Sequence, residues 1–344
     1  MFFNRISTIV AILSLVLSLD AAAGYNNVVD VDFIQSMTDG SSKALDILNR
    51  DPKSLQFFQQ NYEAKKPSKM AYSNTPIIPK VMHQVWDGPI PPLYQHYLDE
   101  CKQLHPGWEF KIWSENDMDS LDLQYRHVYD QMRNYPGKSD IFRYEILYKF
   151  GGVYRDMDVK CYRSLDDLNH LYDFYAPLEA PAKEWSTVVV NNGIIGAAPQ
   201  HKVIAQTLKI IDEKAPQAWQ DFDEGKKGKL KINHQVMHIS LWPLTEAFVK
   251  VVNNTDKSIA LPTSYLMQIG FYGYSSKFSK IAEKIFQAIP EKRFTFIKPE
   301  SLMCHNFKKI DIVPIDFDTG NGISDPERRF ALKQLPPRAK QQLK

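Results

Sequence analysis

The chain has 344 residues, of which 44% are hydrophobic and 24% charged, so it is long enough to bury a large core in one catalytic domain. Its formal net charge is +2 and its basic residues are dispersed except near the C-terminus, which argues against nucleic-acid binding. The three cysteines, Cys101, Cys161 and Cys304, include no C-x-x-C pair. They therefore argue against a zinc framework and permit at most one disulfide bond within the chain.

Residues 1–23 have the layout of a secretory signal peptide. Arg5 precedes an unbroken run of apolar or small residues over 6–19, and Ala21-Ala22-Ala23 supplies small residues for cleavage. As a helix this run is about 21 Å long, which is shorter than the ~30 Å hydrocarbon core of a membrane. The alternative is an uncleaved anchor that includes the alanines and associates the protein with a membrane.

Residues 24–76 are predicted to form a helical N-terminal extension. Apolar residues recur at helical spacing over 29–37 and 44–62, and turn-forming residues interrupt the pattern. The turn-rich stretch at 65–79 predicts the boundary of a catalytic domain over 77–315. The remaining residues, 316–344, are predicted to be a C-terminal tail.

The catalytic region opens with a predicted βαβ unit: a strand over 80–86, a helix over 92–104 and a strand over 108–113. This order is typical of an α/β fold with a mostly parallel sheet. The later elements are predicted as helices over 139–150, 202–214 and 241–252, and strands over 153–159, 173–178, 187–190 and 193–197.

Two carboxylates separated by one residue can bind a divalent cation, which neutralises the charge that builds up on a leaving diphosphate. This Asp-x-Asp pattern occurs five times, at 30–32, 117–119, 156–158, 221–223 and 316–318, so the pattern alone identifies nothing. Only Asp156-Met157-Asp158 follows a helix, a Gly151-Gly152 break and an apolar strand. That context predicts a position at the carboxyl end of a strand, where open α/β sheets bind ligands.

The preceding helix carries a second charged pair. Asp140 and Arg143 share one face with Tyr144 and Leu147, at i, i+3, i+4 and i+7. A surface ion pair worth under ~1 kcal/mol is the alternative explanation. The strand and Asp-x-Asp that follow favour a role in the site.

Residues 138–159, which contain Ser139-Asp140, Arg143-Tyr144, Gly151-Gly152 and Asp156-Met157-Asp158, resemble the signature of the DXD-type glycosyltransferases of family 32. Residues 78–86, Ile-Pro-Lys-Val-Met-His-Gln-Val-Trp, resemble the opening strand of that family. The family includes yeast α-1,6-mannosyltransferases, and the core of the clostridial glucosylating toxins is similar. The resemblance implies a GT-A-type nucleotide-sugar-binding domain with a mixed, mostly parallel sheet and one metal ion.

The resemblance also implies roles for single residues. Trp86 would stack on the nucleotide base, and Asp140 and Arg143 would hold ribose and sugar hydroxyls of the donor. Asp156 would contact the sugar and the metal or its water, and Asp158 would ligate the metal directly. The predicted catalytic residues are therefore Asp140, Arg143 and Asp156.

Two further assignments have open alternatives. Asn192 would line the sugar and acceptor side of the site, or else belong to a polar turn at the edge of a strand. His305 would be the third metal ligand, or else a structural histidine. Relatives often carry a His-His pair and a following Trp at this position, and this sequence lacks both.

The sequence thus predicts a retaining glycosyltransferase that uses Mn²⁺ or Mg²⁺ to move a hexose from a UDP-sugar or GDP-mannose to a hydroxyl of a glycan, lipid or protein. In that mechanism the departing phosphate can deprotonate the acceptor, so no side-chain base is required. The alternatives are an inactive nucleotide-sugar-binding or lectin-like protein and a two-metal phosphotransferase. The second would need further clustered carboxylates.

The predicted signal peptide restricts where such an enzyme could act. Nucleotide sugars occur in the cytosol and in the Golgi lumen, and not outside cells. We therefore expect either a protein of the Golgi or ER lumen or a bacterial effector delivered into a host.

Overall fold

A computed structural model of the chain describes residues 28–132, 135–181, 187–223, 239–267 and 300–305. The predicted signal peptide and the predicted C-terminal tail lie outside these ranges, and the domain boundaries stay predictions. Among the described helices, none is both long enough and apolar enough to cross a membrane.

The helices of the described residues are α1 (Phe33–Thr38), α2 (Ser42–Leu48), α3 (Pro52–Lys65), α4 (Pro92–Leu104), α5 (Glu115–Ser120), α6 (Arg126–Asp130), α7 (Tyr135–Phe150), α8 (Asp166–Leu171), α9 (Lys202–Asp223) and α10 (Leu241–Val251). The strands are β1 (Val81–Val85), β2 (Glu109–Trp113), β3 (Gly152–Arg155), β4 (Val159–Cys161), β5 (Phe174–Pro177), β6 (Ile194–Ala197), β7 (Ser258–Leu261) and β8 (Met303–His305).

Six strands form one sheet in the order β2-β1-β3-β6-β5-β7. The pairs β1–β2, β1–β3 and β5–β7 are parallel, whereas β6 runs antiparallel to both β3 and β5. Strands β4 and β8 pair with each other in a separate antiparallel sheet. The predicted α/β fold with a mixed, mostly parallel sheet and a helical N-terminal extension is confirmed.

Two predicted strands are wrong in part. The strand predicted over 153–159 ends at Arg155, because a turn follows in which the amide of Val159 donates to the carbonyl of Asp156. Residues 187–190 contribute a single bridge, between Val190 and Leu178, in place of a strand. Strands β4, β7 and β8 were not predicted, and β4 and β8, at three residues each, are too short to show an alternating pattern.

Helix α7 is buried on all sides, and its buried residues run from Ser139 to Leu147 without a break. An ordinary surface helix has an apolar stripe and a polar face, whereas a helix enclosed on all sides must pair its polar groups internally. Asp140 and Arg143 are each 5% exposed, so the alternative of a surface ion pair is excluded.

Gly151 and Gly152 connect α7 to β3 in conformations that other residues rarely adopt, with φ of +64° and +97°. A Cβ atom on Gly152 would lie 2.7 Å from the carbonyl oxygen of Val81 in the neighbouring strand. The glycines therefore let β3 enter the sheet directly beside β1, which places the end of β3 at the site.

The N-terminal extension covers the edge strand β7. The side chain of Asn61 donates to the carbonyl of Ser258 at 3.2 Å and accepts from the amide of Ala260 at 3.1 Å. Buried Lys65 pairs with Asp256 at 2.5 Å. The two Asn61 bonds satisfy backbone groups of β7 that an open sheet edge would otherwise expose.

A disulfide bond joins α4 to β4 through Cys101 and Cys161, whose Cα atoms are 5.2 Å apart. It is the one intrachain bridge that three cysteines allow.

We predict that Gly152→Ala destabilises the protein by more than Gly88→Ala does. Both glycines have positive φ, but a Cβ on Gly88 meets nothing within 4 Å, so its substitution costs only the conformational term, about 1–2 kcal/mol. Gly152→Ala adds the clash with Val81. Urea unfolding of the two variants measures the difference, and equal losses would contradict the steric argument.

Candidate active site

The site lies where β3 ends in the main sheet. Asp156 is the first residue after β3, and its amide donates to the carbonyl of Gly193 at 2.8 Å. In the antiparallel register Arg155 faces Ile194, so the residues just before β6 lie beside those just after β3. This pairing brings Asn192 to the same edge as Asp156, although the two are far apart in the sequence.

A buried guanidinium joins the two predicted carboxylates. The Nη2 atom of Arg143 lies 2.8 Å from Oδ1 of Asp140 and 3.4 Å from Oδ1 of Asp156. Its Nη1 atom donates to the carbonyl of Asn192 at 2.7 Å, and the Asn192 amide donates to Asp140 at 3.0 Å. The structure therefore brings four of the predicted site residues into one hydrogen-bonded network.

Tyr154 supports the same network from β3. Its hydroxyl donates to Oδ1 of Asp156 at 2.9 Å, and the guanidinium carbon of Arg143 lies 4.4 Å from the centre of its ring. Because side chains two apart on a strand share a face, Tyr154 and Asp156 project to the same side of β3. Asp156, whose side chain is 26% exposed, is thus held by two donors at the mouth of the site.

Burial and the nearest opposite charges shift the pKa values of Asp140 and Arg143 in opposite directions. Burial raises the pKa of Asp140 to about 6, while Arg143 opposes that rise and Asp156 adds to it. Burial alone would lower the pKa of Arg143, but the carboxylate of Asp156, followed by Tyr154 and Asp140, raises it above its ordinary value. Asp140 is therefore ionised at neutral pH and paired with the cationic side chain of Arg143.

Apolar and aromatic side chains pack together beside the carboxylates of the site. Met157 packs in a cluster with Tyr94 and Tyr97 of α4, and Trp86 packs against that cluster. The rings of Trp86 and Tyr94 meet edge to face, with centres 5.5 Å apart. Burial, followed by the charge of Asp158, raises the pKa of Tyr94 to about 12. Tyr94 thus contacts the ring of Trp86 and lies close enough to Asp158 for the charge of that carboxylate to act on it.

Arg155 bonds to the turn formed by residues 156–159, which we call the 156–159 turn. It is fully buried, and its Nη1 atom donates to the carbonyl of Val159. Burial lowers the pKa of Arg155 to about 10, while the charges of Asp158 and Asp156 oppose that shift. Arg155 therefore stays a cation at neutral pH.

The charge balance and ligand chemistry of the site fit a divalent cation. Three carboxylates, Asp140, Asp156 and Asp158, face two guanidinium groups, Arg143 and Arg155, which leaves a local charge of −1. Asp140 is committed to Arg143 and Asn192. The partly exposed carboxylates of Asp156 and Asp158 are the oxygen ligands that Mn²⁺ and Mg²⁺ prefer.

The backbone of His305 lies beside the turn. Strand β8 pairs with β4 so that His305 faces Val159, the residue after Asp158. The His305 side chain falls outside the described part of the structure, so its assignment as the third metal ligand stays a prediction.

Several contributors to the site were not predicted from the sequence. Ser240 accepts from the amide of Asn192 at 3.1 Å, and its carbonyl accepts from the Tyr144 hydroxyl at 2.8 Å. No local pattern marks Ser240, because it is 48 positions from Asn192. Tyr154 could have been found, since strand alternation places it on the same side as Asp156.

Most of this network lies in a segment that matches a known protein family. Residues 91–175 match the family described as "Glycosyltransferase sugar-binding region containing DXD motif". The predicted resemblance to DXD-type glycosyltransferases is confirmed. The matched segment contains Asp140, Arg143, Asp156 and Asp158, whereas Trp86, Asn192 and His305 lie outside it.

Named relatives match a longer part of the chain than the family does. "Inositol phosphoceramide mannosyltransferase 3" of Schizosaccharomyces pombe is 33% identical over 144 residues, which are 40% of this chain and 38% of that protein. "Mannosyl phosphorylinositol ceramide synthase CSH1" of Saccharomyces cerevisiae is 30% identical over 148 residues, 41% of this chain and 37% of that protein. The match thus spans about two fifths of the length of these relatives.

A solved structure titled "PaToxG Glycosyltransferase" is 16% identical to this chain, with a TM-score of 0.38. The similarity covers 62% of this chain and 81% of the other. At this score we draw no conclusion from the likeness.

We predict that Arg143→Met lowers the free energy of unfolding by roughly 3–5 kcal/mol, because it leaves Asp140 and Asp156 without their shared cation. Arg143→Lys keeps the charge but loses the planar fork, so its loss should be smaller. Chemical denaturation at pH 7 measures both. Wild-type stability of Arg143→Met would contradict the bridging role.

Proposed function

We propose that this protein is a metal-dependent retaining glycosyltransferase that moves a hexose from a nucleotide-sugar donor to a hydroxyl group. The observation that carries the proposal is the Arg143 network, which joins Asp140 to Asp156 at the end of β3 inside the segment that matches DXD-type glycosyltransferases. A solvated Asp-x-Asp turn would have no need of a buried cation behind it.

Asp156 and Asp158 would hold Mn²⁺ or Mg²⁺ in this proposal. A bound ion of this kind neutralises the negative charge that grows on a departing nucleoside diphosphate. The protein contributes ligands that are already oriented: Tyr154 and Arg143 fix Oδ1 of Asp156, and Arg155 ties down the carbonyl of Val159 at the end of the turn. Orienting groups of this type matter because misplaced ligands weaken both metal binding and charge stabilisation.

Donor recognition would use the two ends of the same site. Trp86 is partly buried against Tyr94 and offers a ring face for the nucleotide base. At the other end Asp140, Arg143 and Asn192 offer polar groups for ribose and sugar hydroxyls. Because Arg143 already binds Asp140, a sugar hydroxyl would meet a carboxylate of fixed orientation, which favours one donor geometry.

The names of the two yeast relatives favour a mannosyl donor. Both yeast proteins are named for mannosyl transfer to inositol phosphoceramide. We therefore propose GDP-mannose as the first donor to test, with UDP-sugars next. A lipid-linked hydroxyl is the first acceptor class, before glycan and protein hydroxyls. We place the protein in the lumen of the secretory pathway, a compartment in which the Cys101–Cys161 disulfide can form and persist.

We predict that Asp158→Ala lowers metal-dependent nucleotide release by more than about 100-fold. Loss of an outer-shell partner alone typically costs about 10–100-fold, and Asp158 is proposed as a direct ligand. Release of GDP or UDP from a panel of sugar donors, with Mn²⁺ and with EDTA, measures the effect. Turnover by the variant at the wild-type rate would overturn the metal assignment.

The chain supplies a matched control in Asp117-Met118-Asp119, which has the same three residue types as the proposed site. There Asp117 is part of the capping box of α5, and Asp119 accepts from the hydroxyl of Tyr129 at 3.1 Å. Asp119→Ala should therefore leave donor turnover and its Mn²⁺ dependence unchanged. An equal loss in both variants would show that the effect comes from folding and not from the site.

The same donor panel tests the class of reaction. We expect one sugar nucleotide to be turned over, with product of the same anomeric configuration as the donor by NMR. Binding of a donor without release of nucleotide by the wild-type protein would favour the lectin-like alternative. Inverted product would overturn the retaining mechanism and leave the transferase assignment in place.

A further inference from the structure

Helix α4 contacts the 156–159 turn and the start of β4 along one of its faces. Tyr94, Tyr97 and Cys101 lie at i, i+3 and i+7, so they share that face. Tyr94 and Tyr97 pack in one apolar cluster with Met157, and Cys101 is bonded to Cys161. Helix α4 thus packs against Met157, which lies between the two proposed metal ligands, and it is bonded to Cys161 in the strand that follows the turn.

Charged contacts reinforce this face between the tyrosines and the disulfide. The Nζ atom of Lys160 lies 2.9 Å from Oε2 of Glu100, and it lies 5.8 Å from the ring centre of Tyr97. Lys160 belongs to β4, so the segment 157–161 contacts α4 through apolar packing, an ion pair and a covalent bond. Asp158 lies inside the segment that these contacts hold.

The position of the turn depends on these contacts with α4 because the turn lies between two sheets. Strand β3 ends at Arg155 in the main sheet, whereas β4 begins at Val159 and pairs with β8 in the small sheet. No ladder of the main sheet fixes β4 within the described ranges. The position of Asp158 relative to Asp156 is therefore set by contacts outside the main sheet, of which the disulfide is the covalent one.

The buried group of Cys101, His105 and Cys161 has the residue types of a metal site but not its chemistry. Both sulfur atoms are used in the disulfide. Nε2 of His105 accepts from the amide of Leu165 at 3.0 Å, and Nδ1 donates to the carbonyl of Cys101 at 2.8 Å. Burial lowers the pKa of His105 to about 4, so the ring is neutral and acts as a structural link. The group is a cross-link and not an ion site.

We propose that the Cys101–Cys161 disulfide is a positioning cross-link that sets the affinity of the 156–159 turn for Mn²⁺. The inference rests on the proposed function, because it assumes that Asp156 and Asp158 bind the ion. With the bond intact, β4 is fixed to the helix that also packs on Met157. With the bond broken, β4 and Asp158 can move relative to Asp156, and part of the binding free energy is then spent on ordering the ligands.

The experiment compares Mn²⁺ binding by the wild-type protein and by Cys101→Ala/Cys161→Ala. Free Mn²⁺ is measured by its EPR signal, with excess GDP or UDP present, at a temperature where circular dichroism shows both proteins folded. We expect the Kd for Mn²⁺ to rise by about tenfold or more, the range seen when groups that orient metal ligands are removed. A disulfide with only a structural role would lower Tm and leave the Kd of the folded protein unchanged.

Lys65→Met is the control for a general loss of stability. It breaks the buried pair with Asp256 beside β7, which is the third strand from β3 in the sheet order. This variant should lower Tm and keep the wild-type Kd for Mn²⁺. If the double cysteine variant does not fold, wild-type protein reduced with a phosphine, and shown by circular dichroism to stay folded, provides the same comparison.

Each outcome decides between the two proposals. Binding by wild-type protein with an unchanged Kd after loss of the disulfide overturns the positioning role and leaves the proposed function intact. Absence of Mn²⁺ binding by the wild-type protein overturns the metal assignment, and the inference falls with it. An equal rise in Kd for Lys65→Met would assign the effect to stability and overturn the positioning role.

Discussion

The structure of the site depends on one buried guanidinium. Arg143 contacts the carboxylates of Asp140 and Asp156 and the carbonyl of Asn192, which come from α7, the end of β3 and the segment before β6. Without it, burial of Asp140 would cost several kcal/mol, since an ionised carboxylate is stable inside a protein only when it is paired. The same contact that makes burial of these groups tolerable also orients Asp156 toward the mouth of the site.

The 156–159 turn is positioned by different contacts on its two sides. On one side it continues β3, whose position is fixed by ladders to β1 and β6. On the other side it continues into β4, which belongs to the small sheet. Arg155 and the Cys101–Cys161 bond connect that outer half to the protein. A site at the junction of two sheets has an open edge for a ligand, and its geometry then depends on such cross-connections.

Local sequence patterns correctly predicted the helices and the strand start that position the site. The helix predicted over 92–104 matches α4 at both ends, and the Gly151-Gly152 break correctly separates α7 from β3. Prediction failed at the end of β3. The strand predicted over 153–159 looks continuous in the sequence, but the turn in which the amide of Val159 bonds to the carbonyl of Asp156 ends β3 at Arg155.

The sequence alone singles out one of the five Asp-x-Asp copies as the candidate site, because the helix, the glycine break and the strand before Asp156 are all local features. It also placed Asp140 and Arg143 on one helical face. The folded structure was needed to show that Arg143 reaches Asp156, that Asn192 and Ser240 complete the network, and that Cys101 pairs with Cys161. Each of these contacts depends on strand register and helix packing between distant segments, which periodicity along the chain does not encode.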